Sequence, residues 1–380
     1  MKKFILLAGV AIFWFSLYIY IPYLTPELMA IGLTASVTGI IVALHSLAQM
    51  IVRFPAGIHA STTGKHKWMI VAGMLISGVA ALIMYLWPTP VMFAVGNAVS
   101  GFSSAMYVGF TVLYARYYPP QQSDKAMGYV SAGANLGILG AFAAGGFAYE
   151  KGGIHLIFLI AVIVAFAGLV LSIFVKDETT KPVVENMQDL LGVMKNRQLV
   201  MSAILCIIVK LTVFGTAFSF TPKAAQDIGA SGIALGFLNA VFIAASVLGS
   251  MFVAGRRGKK MGDTTVCVTG FACLAVYACM IPLVKIIWVF GVIQFVGGLG
   301  YASLTTIFMA NAVRKLPAEQ KSAGMGMYQG IYSLGSTLGP VVVGCFTDLI
   351  SAAGAFFLVG AIAASGIFLT LAVRRRGLLQ

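Results

Sequence analysis

Apolar runs about as long as a bilayer is thick recur along almost the whole of this 380-residue chain, and few folds can absorb them. They fall at roughly 4–26, 35–58, 68–87, 90–115, 127–149, 154–175, 199–221, 231–254, 264–284, 286–312, 322–347 and 352–373. A helix of about 20 such residues crosses the hydrocarbon core with its backbone N–H and C=O groups bonded inside the segment. Twelve runs therefore predict an all-α membrane protein with twelve transmembrane helices. Composition excludes a soluble chain: 60% of the residues are hydrophobic and only 9% charged, against about 25% charged in soluble domains. The opening MKKFILLAGV has the look of a signal peptide. Its apolar run continues to Pro26 without a small-residue cleavage pattern, so it reads as an uncleaved first span.

One polar insert breaks the series, KDETTKPVVENMQDLLGVMKNRQ at 176–198, and it parts six runs from six. The expected organisation is a six-helix bundle over 1–175, a cytoplasmic linker over 176–198 and a second bundle over 199–380. Orientation follows from lysine and arginine. With the N-terminus in the cytoplasm, about 20 basic residues lie inside, among them Lys65, Lys67, Arg116, Arg256 and Arg314. Outside lie Lys151, Lys223 and Lys285. Both termini are then cytoplasmic. The formal charge of +14 is a topology signal facing anionic lipid, and nucleic acid is not expected as a partner. No Asn-x-Ser/Thr sequon occurs, and all loops but one are short, as in a bacterial inner-membrane protein.

The two halves repeat one another. Met127-Gly128 followed by Leu136-Gly137 returns as Met325-Gly326 followed by Leu334-Gly335, and Thr25-Pro26 returns as Thr221-Pro222. Parallel repeats in a membrane chain imply a solute cavity between them, which points to a transporter. Five cysteines (206, 267, 273, 279 and 345) sit in apolar runs without metal-ligand spacing. No metal, cofactor or enzymatic nucleophile is expected. Gly297-Gly298-Leu299-Gly300 lies mid-span with no strand before it, so it reads as helix packing and not nucleotide binding.

The loop Gly57-Ile-His-Ala-Ser61-Thr62-Thr63-Gly64-Lys65-His66-Lys67 resembles the signature loop of the major facilitator superfamily. Gly57, Gly64, Lys65 and Lys67 fit, whereas Ser61 and Thr62 replace the family's acid and arginine. Its counterpart Gly255-Arg256-Arg257-Gly258-Lys259-Lys260 also lacks the acid. The glycines of the fifth and eleventh runs, clearest at Gly339-Pro340, resemble the family's glycine-rich motif. Asn97-Ala-Val-Ser100-Gly101 resembles another, with Asn97 where an arginine is usual. The resemblance spans the whole chain. It implies two pseudo-symmetric bundles, rocker-switch alternating access and no catalysis. It also implies that Gly57, Gly64, Lys65, Arg256, Gly258, Gly339 and Pro340 serve conformational change.

Ionisable groups in a bilayer are costly, and three lie inside runs: His45, Arg53 and Lys210. Every acid falls in a loop or at a span end. His45, Gln49 and Arg53 repeat every fourth residue and form one polar helical stripe. Arg53 reads equally as a residue snorkelling to headgroups, and His45 as an interhelical hydrogen-bond partner. Lys210 is too deep to snorkel. By the resemblance, the first, fourth, seventh and tenth spans line the cavity, so Lys210 would face substrate. Tyr20, Asn97, Asn135, Asn239, Gln294, Tyr328, Gln329 and Tyr332 complete the candidate lining, each with helix–helix hydrogen bonding as the alternative. The expected activity is secondary transport of a small organic anion by a monomer. The alternatives are a proton-coupled drug or sugar efflux antiporter, with His45 carrying the proton, and a non-transporting sensor or lipid flippase.

Overall fold

A computed structural model describes residues 2–63, 65–119, 122–177, 195–317 and 320–375, and all regular structure among them is helical. The first half holds α1 (Lys2–Tyr18), α2 (Ile21–Ala30), α3 (Ala35–Thr63), α4 (Lys67–Leu86), α5 (Pro90–Ala105), α6 (Tyr107–Arg116) and α7 (Ser123–Ile173). The second holds α8 (Arg197–Gly215), α9 (Thr221–Asp227), α10 (Gly232–Ala254), α11 (Arg256–Met261), α12 (Asp263–Met280), α13 (Ile287–Arg314), α14 (Lys321–Leu349) and α15 (Ala352–Arg375). Among the described residues, eleven helical stretches are long and apolar enough to cross a membrane. The longest helix, α7, runs for 51 residues but is broken at Gly152 and Gly153. Gly153 has φ +61°, a left-handed conformation that glycine adopts without steric cost. Helix starts follow local chemistry. Asn196 accepts from the backbone N–H groups of Gln198 and Leu199, and Ser231 from that of Ala234, which satisfies donors a helix start leaves open.

The runs at 4–26, 90–115 and 199–221 predict unbroken helices, and each is interrupted. The first turns through Ile19–Tyr20 between α1 and α2. The second breaks at Met106, whose N–H reaches the carbonyls of Ser103 and Ser104. The third passes through a π-helical turn, Thr216–Phe220, between α8 and α9. There the hydroxyls of Thr216 and Ser219 donate to the carbonyls of Thr212 and Phe214, so local hydroxyls cover backbone groups that the wider turn displaces.

The chain gathers into two compact units, one of Met1–Leu24 and Leu44–Glu185, the other of Thr25–Ala43 and Asn186–Gln380. The segment Thr25–Ala43 joins the second unit through α14. The Asp348 carboxylate accepts from the N–H groups of Ala35 (3.1 Å) and Ser36 (2.8 Å) and from the Ser36 hydroxyl. An acid at the N-terminus of α3 satisfies open donors and complements the helix dipole.

Other acids fasten helix ends within each unit. Asp177 accepts from the backbone N–H of His66 (3.4 Å) and Lys67 (3.2 Å) at the start of α4. In the second unit Asp263 pairs with Arg314 at 3.0 Å. The acid absent from the signature loops is thus supplied by residues outside those patterns. His66 is fully buried, and neither ring nitrogen has a hydrogen-bond partner among the described residues. Burial pushes its pKa down to about 4, helped by the Arg116 charge and opposed by Asp177. Gly64 lies outside the described residues, and Gly57 continues the α3 helix.

Candidate functional site

Lys210 sits in α8 with its ammonium among rings. Nζ donates to the Tyr301 hydroxyl at 2.8 Å and lies 4.8 Å from the Tyr332 ring centre, 5.0 Å from that of Tyr301 and 5.5 Å from that of Phe214. Tyr328 stands edge-on to Tyr332 at 5.1 Å. Lys210, Phe214, Tyr301 and Tyr332 are all half-buried. An ammonium carries three N–H donors, and among the described residues this one has a single hydrogen-bond partner. No carboxylate of the described residues lies within ion-pair distance of it. Ring faces attract a cation by about 0.5–2 kcal/mol each, which keeps the charge tolerable without neutralising it.

In the first unit His45 Nδ1 lies 2.7 Å from the Ser100 hydroxyl, and that hydroxyl donates to the Asn97 carbonyl at 2.7 Å. Ser100 therefore accepts from Nδ1–H, and Nε2 keeps its lone pair. Tyr20 is buried, and its hydroxyl approaches Ser100 without completing a hydrogen bond. Helix contact is close because of Gly101, where a Cβ would stand 2.2 Å from the His45 carbonyl oxygen.

The structure thus brings Lys210 together with Tyr332 and Tyr328, and His45 with Asn97 and Tyr20. The other candidates have no hydrogen bond to either centre. Gln49 and Asn135 are half-buried. Arg53 is half-buried, with its Nε unpartnered and its charge felt at Tyr107. Asn239 spends its amide N–H on the Leu235 carbonyl of its own helix. Gln294 is buried, and neither amide atom has a partner among the described residues. The Gln329 carbonyl accepts from the Ser333 hydroxyl. Among the conformational candidates, Gly339 lets α14 touch α8, since a Cβ there would lie 2.4 Å from the Leu211 carbonyl oxygen. The Pro340 carbonyl faces Gly39. Gly258 is buried against Phe252, while Lys65 and Arg256 are exposed.

Phe214 and Tyr301 were not among the candidates. Phe214 stands one helical turn past Lys210, so spacing alone would have found it. Tyr301 comes 91 residues after the lysine it bonds, and only the packing of α13 on α8 joins them.

The sequence profile of the Major Facilitator Superfamily matches residues 6–224 and again 203–378. The chain belongs to the major facilitator superfamily. Among curated relatives, the quinolone resistance protein NorA of Staphylococcus aureus (strain COL) is 23% identical over 383 residues, covering 97% of this chain and 95% of the relative. Multidrug resistance protein 2 of Bacillus subtilis (strain 168) is 26% identical over 368 residues, covering 91% and 88%. A solved bacterial homolog of the human lysosomal transporter Spinster superposes with a TM-score of 0.80 at 12% identity, covering 100% of this chain and 97% of that one. The nucleoside transporter NupG superposes at 0.74, also at 12% identity, covering 97% and 99%. At such identity the structural likeness establishes the fold alone. Membership makes this chain a multi-span membrane transporter of small molecules; proteins of this superfamily are not enzymes.

Proposed function

We propose that this superfamily member is a secondary transporter that moves a small organic anion by rocker-switch alternating access, with the Lys210 ammonium as counter-charge. The observation that supports it is the unspent hydrogen-bonding capacity of that ammonium: among the described residues it has one phenol partner and no acid, and it is partly exposed. A charge held away from water is costly unless paired and hydrogen-bonded, and an entering carboxylate supplies both. In this reading the arms of α7 count as separate spans, giving twelve. Both termini are cytoplasmic, and the protein works as a monomer in a bacterial inner membrane. The test is anion counterflow in proteoliposomes. Lys210→Met abolishes exchange of organic carboxylates while the protein remains folded; undiminished exchange removes the proposal.

A second reading, proton-coupled efflux of drugs, is supported by relatives named for quinolone and multidrug resistance and by His45, whose Nε2 is left as a proton acceptor. Accumulation in inverted vesicles would then require a pH gradient and disappear in His45→Phe. Export indifferent to both removes it.

A further inference from the structure

Resting on the anion reading of Lys210, we infer that the second unit holds a site for a planar aromatic anion, in which the rings around the ammonium select the body of the solute and the ammonium selects its carboxylate. The rings are placed as walls. Tyr332, Tyr301 and Phe214 stand 4.8–5.5 Å from Nζ on three helices, α14, α13 and α8. All are half-buried, so none of the three is sealed within the helix packing. Behind them the array continues. Phe218 lies edge-on to Phe214 at 5.2 Å, and Phe242 lies 5.8 Å from Tyr301; both are buried and fix the front rings in place.

Such walls leave the ammonium approachable mainly by an atom that accepts hydrogen bonds and carries negative charge. Once a carboxylate meets Nζ beside the Tyr301 hydroxyl, the rest of the solute must lie along ring faces and edges. A flat aromatic body meets them in offset-stacked or edge-on geometry, worth several-fold in affinity beyond the area it buries. A saturated ring of similar size buries comparable area without that term. A cationic solute is refused, since Lys210 already supplies the positive charge.

The test measures binding to the purified full-length transporter in nanodiscs, by calorimetry, with four probes: benzoate, cyclohexanecarboxylate, benzyl alcohol and benzylammonium. Benzoate is expected to bind about threefold to tenfold more tightly than cyclohexanecarboxylate, and the alcohol and the amine not measurably. Phe214→Leu and Tyr332→Leu, which keep apolar bulk, should erase the preference between the two acids by weakening benzoate more than cyclohexanecarboxylate. Equal or tighter binding of cyclohexanecarboxylate to the wild type overturns the aromatic site and leaves the anion reading standing. Benzyl alcohol binding as well as benzoate overturns the anion reading itself. Failure of both acids to bind at millimolar concentration overturns both.

Discussion

Trp14 and Lys210 hold matching places in the two units. The repeat that carries Thr25-Pro26 to Thr221-Pro222 spans 196 residues, and it carries Trp14 to Lys210 and Tyr18 to Phe214. The contacts correspond. Trp14 and Tyr18 rings lie 5.2 Å apart, and the Lys210 ammonium lies 5.5 Å from Phe214. Where the first unit stacks an indole, the second holds a cation. The exchange runs the other way one helix pair over: His45 stands where the second unit has Phe242, 197 residues on. Each unit therefore carries a nitrogen base where its sister has an aromatic ring, at positions that do not correspond. Duplication kept the scaffold, and the chemistry lies in the departures from it.

The scaffold half of that comparison is tested hardest at two glycines. A Cβ on Gly101 would stand 2.2 Å from the His45 carbonyl oxygen, and one on Gly298 would stand 2.2 Å from that of Phe242. Both neighbours are backbone and cannot swing aside. Gly101→Val and Gly298→Val should each cost upward of about 4 kcal/mol and leave little monodisperse protein in detergent size-exclusion chromatography. A full yield from one with collapse of the other would show that the units do not share this contact.

Lys210→Trp gives the second unit its sister's side chain. The Trp14 precedent and the surrounding rings argue that the variant folds. Binding of organic carboxylates should fall on the order of a thousandfold, as when one partner of a buried charge pair is removed. Retained binding in calorimetry would place the anion elsewhere.

Much of this was readable from the chain, for identifiable reasons. Span length is set by bilayer thickness, so the apolar runs located the helices. The breaks were hidden, because Ile19–Tyr20 and Thr216–Phe220 remain apolar enough to continue a run. Lys210 is conspicuous because a charge amid apolar residues is rare, and the fold seats it among rings. The hydroxyl that holds it was not visible, since Tyr301 is one of many tyrosines until the fold selects it. The Asp177 cap on α4 was equally hidden. It reaches His66 across 111 residues, whereas the family pattern looks for an acid inside the loop itself.

The same comparison extends to helix ends. His66 stands 197 residues before Asp263, so a buried imidazole near Arg116 replaces an acid paired with Arg314. Folded His66 resists protonation until the pH nears about 4, whereas the unfolded imidazole takes a proton near 6.5. Between those values the unfolded chain binds more protons, so stability falls as the pH falls. The loss reaches about 3 kcal/mol at the acid end and is absent above neutrality. His66→Asp, the sister's residue, should remove this component. Thermal unfolding in detergent at pH 7 and pH 5 measures it. An unchanged drop in the variant would assign the acid sensitivity to other groups.

The smallest effect is expected from the remaining exchange, His45→Phe. The ring fits a place where its sister Phe242 is fully buried, and Ser100 keeps its bond to the Asn97 carbonyl. What disappears is the Nδ1–H donation to Ser100 at 2.7 Å, a loss of about 1 kcal/mol in stability. If the anion is held by the second unit's ammonium, downhill carboxylate counterflow should remain within about threefold of wild type. Driven accumulation is a separate measurement, and only the proton-coupled reading requires it to vanish. A collapse of downhill counterflow as deep as that of Lys210→Trp would mean that anion transport depends on the first unit's base as well as on the second unit's ammonium.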